Sequence, residues 1–494
     1  MNYISTRGSK ERVSSAEAIK RGLAEDGGLF IPEALPEFSL TMLTRWKNMD
    51  YRQRAADLLK LFLTDYSEDE LKACTAAAYS EEKFSEAAIA PIRSLDRQHH
   101  ILELWHGPTS AFKDMALQLL PQLLTKALLK TGENSQIAIL VATSGDTGKA
   151  ALEGFRDVEQ TKVVVFYPKD GVSEIQRMQM LSQGGSNVAV VAVEGNFDDA
   201  QSGVKEIFSD AGVKQRLQAK QIRLSSANSI NWGRLAPQIV YYFSAYIDLV
   251  AAGQLTLGEK VNFVVPTGNF GNILAGYYAK QMGLPIGRLI CAANPNNVLT
   301  DFIRTGKYDR SRAFHKTISP SMDILISSNL ERMLYYIADG RCELVEGWMK
   351  SLKEKGGYDI GAKLLQKVQD IFWSEWVSDE LTQETIRKVY EERNYLLDPH
   401  TAVAWQAGEA YRKTGDETPQ IILSTASPFK FNDSVLKALG VAATETEFAM
   451  LKTLAAKTGW TIPTQLAELE NLPILHKDIC TPKGMQQCVE DILQ

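Results

Sequence analysis

Cysteine is scarce and falls in no pairing pattern. The chain has five (Cys74, Cys291, Cys342, Cys480 and Cys488) in 494 residues, with no C-x-x-C. Neither a disulfide framework nor a cysteine-type zinc site is indicated. Histidine numbers six, with one adjacent pair, His99-His100, and no H-E-x-x-H, so the metalloprotease pattern is missing too. No basic run offsets the net charge of −6, which argues against a nucleic-acid binder. No segment reaches about 18 consecutive apolar residues, so no membrane span is expected. The opening Met1-Asn2-Tyr3-Ile4-Ser5 is not followed by a signal-type apolar run. A reducing cytoplasm is the expected location. Internal repeats and low-complexity stretches are absent. What remains is the composition of an ordinary globular protein, 45% hydrophobic and 23% charged, at a length that implies two or three domains.

Residues 1–90 read as a small helical domain. The run from Arg12 to Leu23 has helical spacing and is expected to stop at Asp26-Gly27-Gly28. Ser67-Glu68-Asp69-Glu70 reads as a capping box. From about 97 to 300 the pattern strand, loop, helix repeats. Strands are expected at 137–142, 162–167, 188–193, 261–265 and 288–292, rich in Val and Ile without clean alternation, as buried parallel strands are. A further strand is expected at 420–423. The fold class is therefore α/β, with two doubly wound subdomains inside 91–430. Charged amphipathic runs over about 320–395 predict a helical insertion, and 431–494 a helical C-terminal segment.

Four loops carry the chemistry. The strand-like Ile101-Leu102-Glu103-Leu104-Trp105 enters His106-Gly107-Pro108-Thr109-Ser110-Ala111-Phe112-Lys113-Asp114, and a helix-like run from Met115 to Leu129 leaves it. Lys113 sits at the start of that helix, where a cation is unfavourable beside the positive end of the macrodipole. It is either solvated or uncharged, and uncharged lysines are the ones that form Schiff bases. Gly268-Asn269-Phe270-Gly271-Asn272 lies between a strand and a helix. Free N–H groups there make an anion site or simply a tight turn. The spacing is neither G-x-G-x-x-G nor a Walker motif. Thr143-Ser144-Gly145-Asp146-Thr147-Gly148 is a small-residue helix start suited to a carboxylate or to an ordinary N-cap. Ser424-Thr425-Ala426-Ser427-Pro428 follows the last strand.

Together these loops resemble the active site of fold-type II pyridoxal phosphate (PLP) enzymes. Their wording is similar to that of the threonine synthases in particular. So are Tyr3-Ile4-Ser5-Thr6-Arg7-Gly8 and the stretch from Gly22 to Glu33, which lie in a domain other fold-type II enzymes lack. The resemblance covers nearly the whole chain. It implies that Lys113 carries PLP covalently, that Gly268, Asn269, Phe270, Gly271 and Asn272 hold its phosphate, and that the Thr425 hydroxyl meets the ring nitrogen. Thr109, Ser110, Ser144, Gly145, Asp146 and Thr147 would hold the substrate's α-carboxylate. One departure is Ser427, where many members have His.

The implied reaction converts O-phospho-L-homoserine and water to L-threonine and phosphate. Protons leave Cα and Cβ, phosphate leaves Cγ, and water adds at Cβ, assisted by the departing phosphate. Arg234, within Ser226–Arg234, is the best candidate to pair with the substrate's phosphate, since guanidinium matches that geometry. Lys430 and Arg223 are weaker ones. His106 and His400 read as packing or supporting residues. The expected partner is this small molecule alone, with the chain a monomer or homodimer and no S-adenosylmethionine control. The nearest rival reading is another fold-type II lyase, a serine/threonine dehydratase or a phosphoamino-acid phospholyase. A rival of another class is a non-catalytic phosphometabolite-binding protein.

Overall fold

The computed structural model describes residues 1–143, 145–442 and 446–493, except for the side chain of Asp198. Two parallel sheets organise it. The larger has six strands in the order Phe372–Trp376, Ile286–Ala293, Val261–Pro266, Gln420–Ser424, His99–Glu103 and Ile92–Ser94, all parallel except the last. The smaller has five parallel strands in the order Asp478–Cys480, Val188–Val193, Thr161–Pro168, Gln136–Ala142 and Ile222–Ser225. Their central strands are buried on both faces, which is why they read as Val- and Ile-rich runs rather than alternating ones. The doubly wound α/β reading holds for both sheets.

Helix Trp232–Ala251 is the shared pillar. It is buried along nearly its whole length and tolerates Pro237 within it. The N-terminal helices pack on it. Phe38 and Trp46 meet Phe243 with ring centroids 4.6 and 6.0 Å apart, and the Arg54 guanidinium pairs with Asp248 at 2.6 Å. The capping box at Ser67 and Glu70 is present, each side chain bonded to the other's backbone N–H.

Several boundaries differ from the sequence reading, each for a local reason. The first helix spans only Ser15–Arg21 and stops at Gly22, whose φ of 71° ends it before Asp26 is reached. The run leaving Lys113 is two helices, Asp114–Leu117 and Leu120–Thr131, the second opened by Pro121 in its first turn. The strand before the lysine loop is His99–Glu103, ending two residues short of Trp105. Within 320–395 the helices Leu330–Ile337, Cys342–Lys355, Ala362–Gln369 and Asp379–Arg393 are joined by the strand Phe372–Trp376, an edge of the larger sheet. The tail likewise adds Asp478–Cys480 to the edge of the smaller sheet.

Candidate active site

Strands of both sheets end at one cavity of about 1230 Å³. The ends of adjacent strands His99–Glu103 and Gln420–Ser424 run into loops that are bonded to each other. The Phe112 N–H donates to the Thr425 carbonyl at 2.8 Å, and the Ser427 N–H to the Ser110 carbonyl at 3.0 Å. This cross-link sets Lys113 and Thr425 on a common cavity wall.

The lysine loop closes on Asp114. Its buried carboxylate accepts the Thr109 N–H and the Thr109 hydroxyl, both at 2.8 Å. Burial pushes Asp114 up to about 6, against the Thr109 bonds that lower it. Gly107 must be glycine, because a Cβ there would stand 2.5 Å from the Cβ of Asp114. The Lys113 side chain partly faces the cavity and is otherwise enclosed by protein. Its amine makes no hydrogen bond or ion pair among the described residues. Burial, helped by the charges of Lys430 and Arg234 and opposed by Asp146, lowers the amine to about 8.

The 268–272 loop follows strand Val261–Pro266 and opens helix Gly271–Gln281. Phe270 adopts a φ of 61°, which turns successive N–H groups toward one side. None of the five N–H groups of the loop has an acceptor among the described residues. A Cβ on Gly268 would lie 2.9 Å from the Ser321 carbonyl oxygen, so the neighbouring chain seals the loop's other side. Asn272 is 6% exposed, and its Nδ2 has no partner.

Arg234 lies in the first turn of Trp232–Ala251, 4% exposed, and lines the cavity. Its guanidinium has no acceptor among the described residues, and burial lowers it to about 10. A buried cation without a partner is costly and marks a place where an anion belongs. Of the weaker basic candidates, Arg223 lines the cavity but is half-exposed and paired with Glu133 at 3.3 Å. Lys430 is fully committed: its amine donates to Asp146 Oδ1 at 2.6 Å and to the Thr109 carbonyl at 3.0 Å.

The expected carboxylate-binding set is only partly assembled. Ser144 lies outside the described residues. Thr109 and Ser110 are buried away from the cavity, the first bonded to Asp114 and the second accepting from Gln465 at 2.9 Å. The Asp146 carboxylate faces Lys430, Gln176 and Ser321, and Gly145 packs against Gln176, where a Cβ would stand 2.4 Å away. Burial alone would raise Asp146; the charges of Lys430 and Lys113 outweigh it and hold the carboxyl far below its ordinary value. Among the described residues of this set, Thr147 alone lines the cavity. The N–H groups of Asp146 and Thr147 have no acceptor among the described residues, so the start of helix Asp146–Phe155 keeps donors for a carboxylate.

Sequence reading passed over the tyrosines that hold Asn272, and it missed the Lys430–Asp146 pair. The pair's members are 284 residues apart, and no local pattern joins them. The two histidines have structural partners. His106 bonds Glu103 at 2.8 Å and stacks on Trp105. His400 lines the cavity and bonds Asp398 through Nδ1 at 2.8 Å. Its Nε2 accepts the Ser321 N–H at 3.1 Å, which puts the proton on Nδ1 and fastens the chain that seals the glycine loop.

Comparison with known proteins adds three family matches: "Threonine synthase N terminus" over residues 2–79, "Pyridoxal-phosphate dependent enzyme" over 91–426 and "Threonine synthase, C-terminal" over 401–474. The chain is 42% identical to the threonine synthase of Pseudomonas aeruginosa over 439 residues, 89% of this chain and 90% of that one. It superposes on the PLP-bound threonine synthase of Brucella melitensis with a TM-score of 0.88 at 37% identity, covering 100% of each chain. For the yeast threonine synthase structure the TM-score is 0.89 at 37% identity, over 100% of this chain and 98% of that one.

Proposed function

Because the chain belongs to the threonine synthase family of pyridoxal-phosphate-dependent enzymes, we propose that it converts O-phospho-L-homoserine and water to L-threonine and phosphate. The observation that carries this reading is the enclosed Lys113 amine, in one cavity with the N–H groups of an anion loop and an arginine guanidinium, all three without a charged or hydrogen-bonding partner among the described residues.

The residues present fit PLP. The 268–272 N–H groups and Asn272 Nδ2 are unused donors for its phosphate. Lys113 Nζ would be the amine for its aldehyde carbon, and Thr425, on the cavity wall with no partner for its hydroxyl among the described residues, would face its ring nitrogen. A hydroxyl cannot balance a pyridinium charge, so that nitrogen stays largely unprotonated. Bound there, PLP supplies the electron sink that stabilises negative charge at the substrate's Cα. The remaining work falls to side chains of the chain itself. Lys113 Nζ, its basicity lowered toward neutral, takes the Cα proton and can return one, a role worth about 10²–10⁴-fold. The N–H groups at Asp146 and Thr147 receive the α-carboxylate, and Arg234 receives the phosphate that leaves Cγ. Thr109, Ser110 and Gly145 shape this region from behind; they would act directly only after a rearrangement of the loops. The substrate is the one partner this reading requires, and it places the work in the cytoplasm. No described helix is long and apolar enough to cross a membrane.

Given O-phospho-L-homoserine and PLP, the purified chain should release phosphate and L-threonine one for one. An oxoacid and ammonia would move it to the dehydratases instead. Arg234→Met provides a second check with two opposite signs. Loss of one charge-assisted pair should lower kcat/KM by about tenfold to a hundredfold, mainly through KM. The same change removes an uncompensated buried cation, so the unliganded chain should melt higher. An unchanged KM would take Arg234 out of the substrate site.

A further inference from the structure

Asn272, in the glycine loop, is held by two phenols from another helix. On Trp232–Ala251, residues 234, 238, 241 and 242 share a face, since positions i, i+4, i+7 and i+8 recur on one side of an α-helix. The Tyr241 hydroxyl donates to Asn272 Oδ1 at 2.6 Å. The Tyr242 hydroxyl lies 3.0 Å from the same oxygen and 2.8 Å from the Asn272 carbonyl oxygen. Both rings are fully buried, and burial pushes their phenols well above the ordinary value, so they remain O–H donors across the neutral range. An amide oxygen has two lone pairs, and here two phenols meet it. What the carboxamide has left is Nδ2, buried and without a partner. Were the amide turned over, its oxygen would take the place of Nδ2 and repel an anion.

We infer that Tyr241 and Tyr242 are positioning residues for a phosphate at the 268–272 loop, holding the Asn272 carboxamide with Nδ2 turned toward it. The backbone N–H groups of the loop supply most of the anion site, and the tyrosine pair sets its one side-chain donor. Each phenol has one proton: Tyr241 gives its own to Oδ1, far nearer than Gln238 Oε1 at 3.3 Å, while Tyr242 shares its own between Oδ1 and the Asn272 carbonyl oxygen and so ties the amide to the loop's backbone. This rests on the reading that the loop's ligand is the phosphate of PLP.

The test compares PLP with pyridoxal, which lacks the phosphate. The full-length chain and the Tyr241→Phe/Tyr242→Phe variant are titrated with each, and binding is followed by the visible absorbance of the lysine-bound cofactor. PLP should bind the variant roughly tenfold more weakly, while pyridoxal changes by less than about twofold. The ³¹P resonance of bound PLP should also shift. Asn272→Ala should show the same selective loss, with no further loss when the three changes are combined. Equal weakening of both ligands, or of neither, overturns the inference. If the double variant does not fold, Tyr241→Phe alone carries the same comparison with a smaller selective loss expected. Failure of the unmodified chain to bind PLP would instead remove the cofactor reading.

Discussion

Lys113→Ala should leave a folded chain with no visible cofactor band and threonine formation reduced by at least about 10³-fold. The size follows from the two tasks proposed for one atom. Nζ is the amine in the cavity placed to hold the cofactor's aldehyde carbon, and it is the base that reaches Cα. Stability should change little, because the amine has no hydrogen bond or ion pair to lose among the described residues, and its attraction to Asp146 is offset by repulsion from Lys430 and Arg234. The lowered basicity gives a second readout. Only the neutral amine attacks an aldehyde. With the amine lowered to about 8, the rate of PLP capture by the cofactor-free chain should climb through pH 8 and level off above it. An ordinary lysine would still be climbing near pH 10. Capture that rises only above pH 10, or a Lys113→Ala chain that keeps the band and its turnover, would put the chemistry on another residue.

What could be read from the chain before its fold was known was set by how local each signal is. Buried parallel strands announce themselves within six or seven residues, and the strand over 188–193 matched to the residue. The short edge strands did not. Phe372–Trp376 follows an amphipathic helix after two residues and is held by one neighbour, so the helical period runs on into it. Asp478–Cys480 is three residues long and exposed at both its first positions, leaving no apolar pattern to see. The site divides the same way. Lys113, the glycine loop and Thr425 each lie on a loop that follows a strand, where the motif is contiguous in sequence. Arg234 was found by residue type, but its lack of an acceptor among the described residues was not visible until the helix was packed. The Thr109–Asp114 bond lies within the loop motif and was passed over there, but the Ser110–Gln465 bond, which turns the second hydroxyl away from the cavity, is decided by a tertiary neighbour. So is the pairing of Asp146 with a lysine 284 residues distant.

That pairing carries the largest expected effect on stability. Asp146 is 4% exposed and Lys430 is 1% exposed, and the lysine also supports the Thr109 carbonyl of the loop that carries Lys113. Lys430→Met should destabilise the chain by about 3–5 kcal/mol, because it strands a buried carboxylate rather than merely deleting an attraction. The pH dependence distinguishes this from loss of packing. In the unmodified chain the folded carboxyl is held far below its ordinary value. Its contribution is therefore complete above the unfolded value of about 3.9 and fades only as pH falls toward the folded one. In the variant, burial, the largest influence on this carboxyl, is opposed by the Lys113 charge and the Gln176 bond; the folded carboxyl is expected to rise above its unfolded value, and the variant then loses stability as pH climbs through that range. The gap between the two chains, measured by urea unfolding, should thus be small near pH 4 and grow toward pH 7. Replacing Asp146 as well, in Lys430→Met/Asp146→Leu, should recover part of the loss and remove the pH dependence, since two apolar side chains leave no charge behind. A gap that stayed constant from pH 4 to 7 would mean that Lys430 serves as a prop for the Thr109 carbonyl and that the charge on Asp146 is balanced elsewhere.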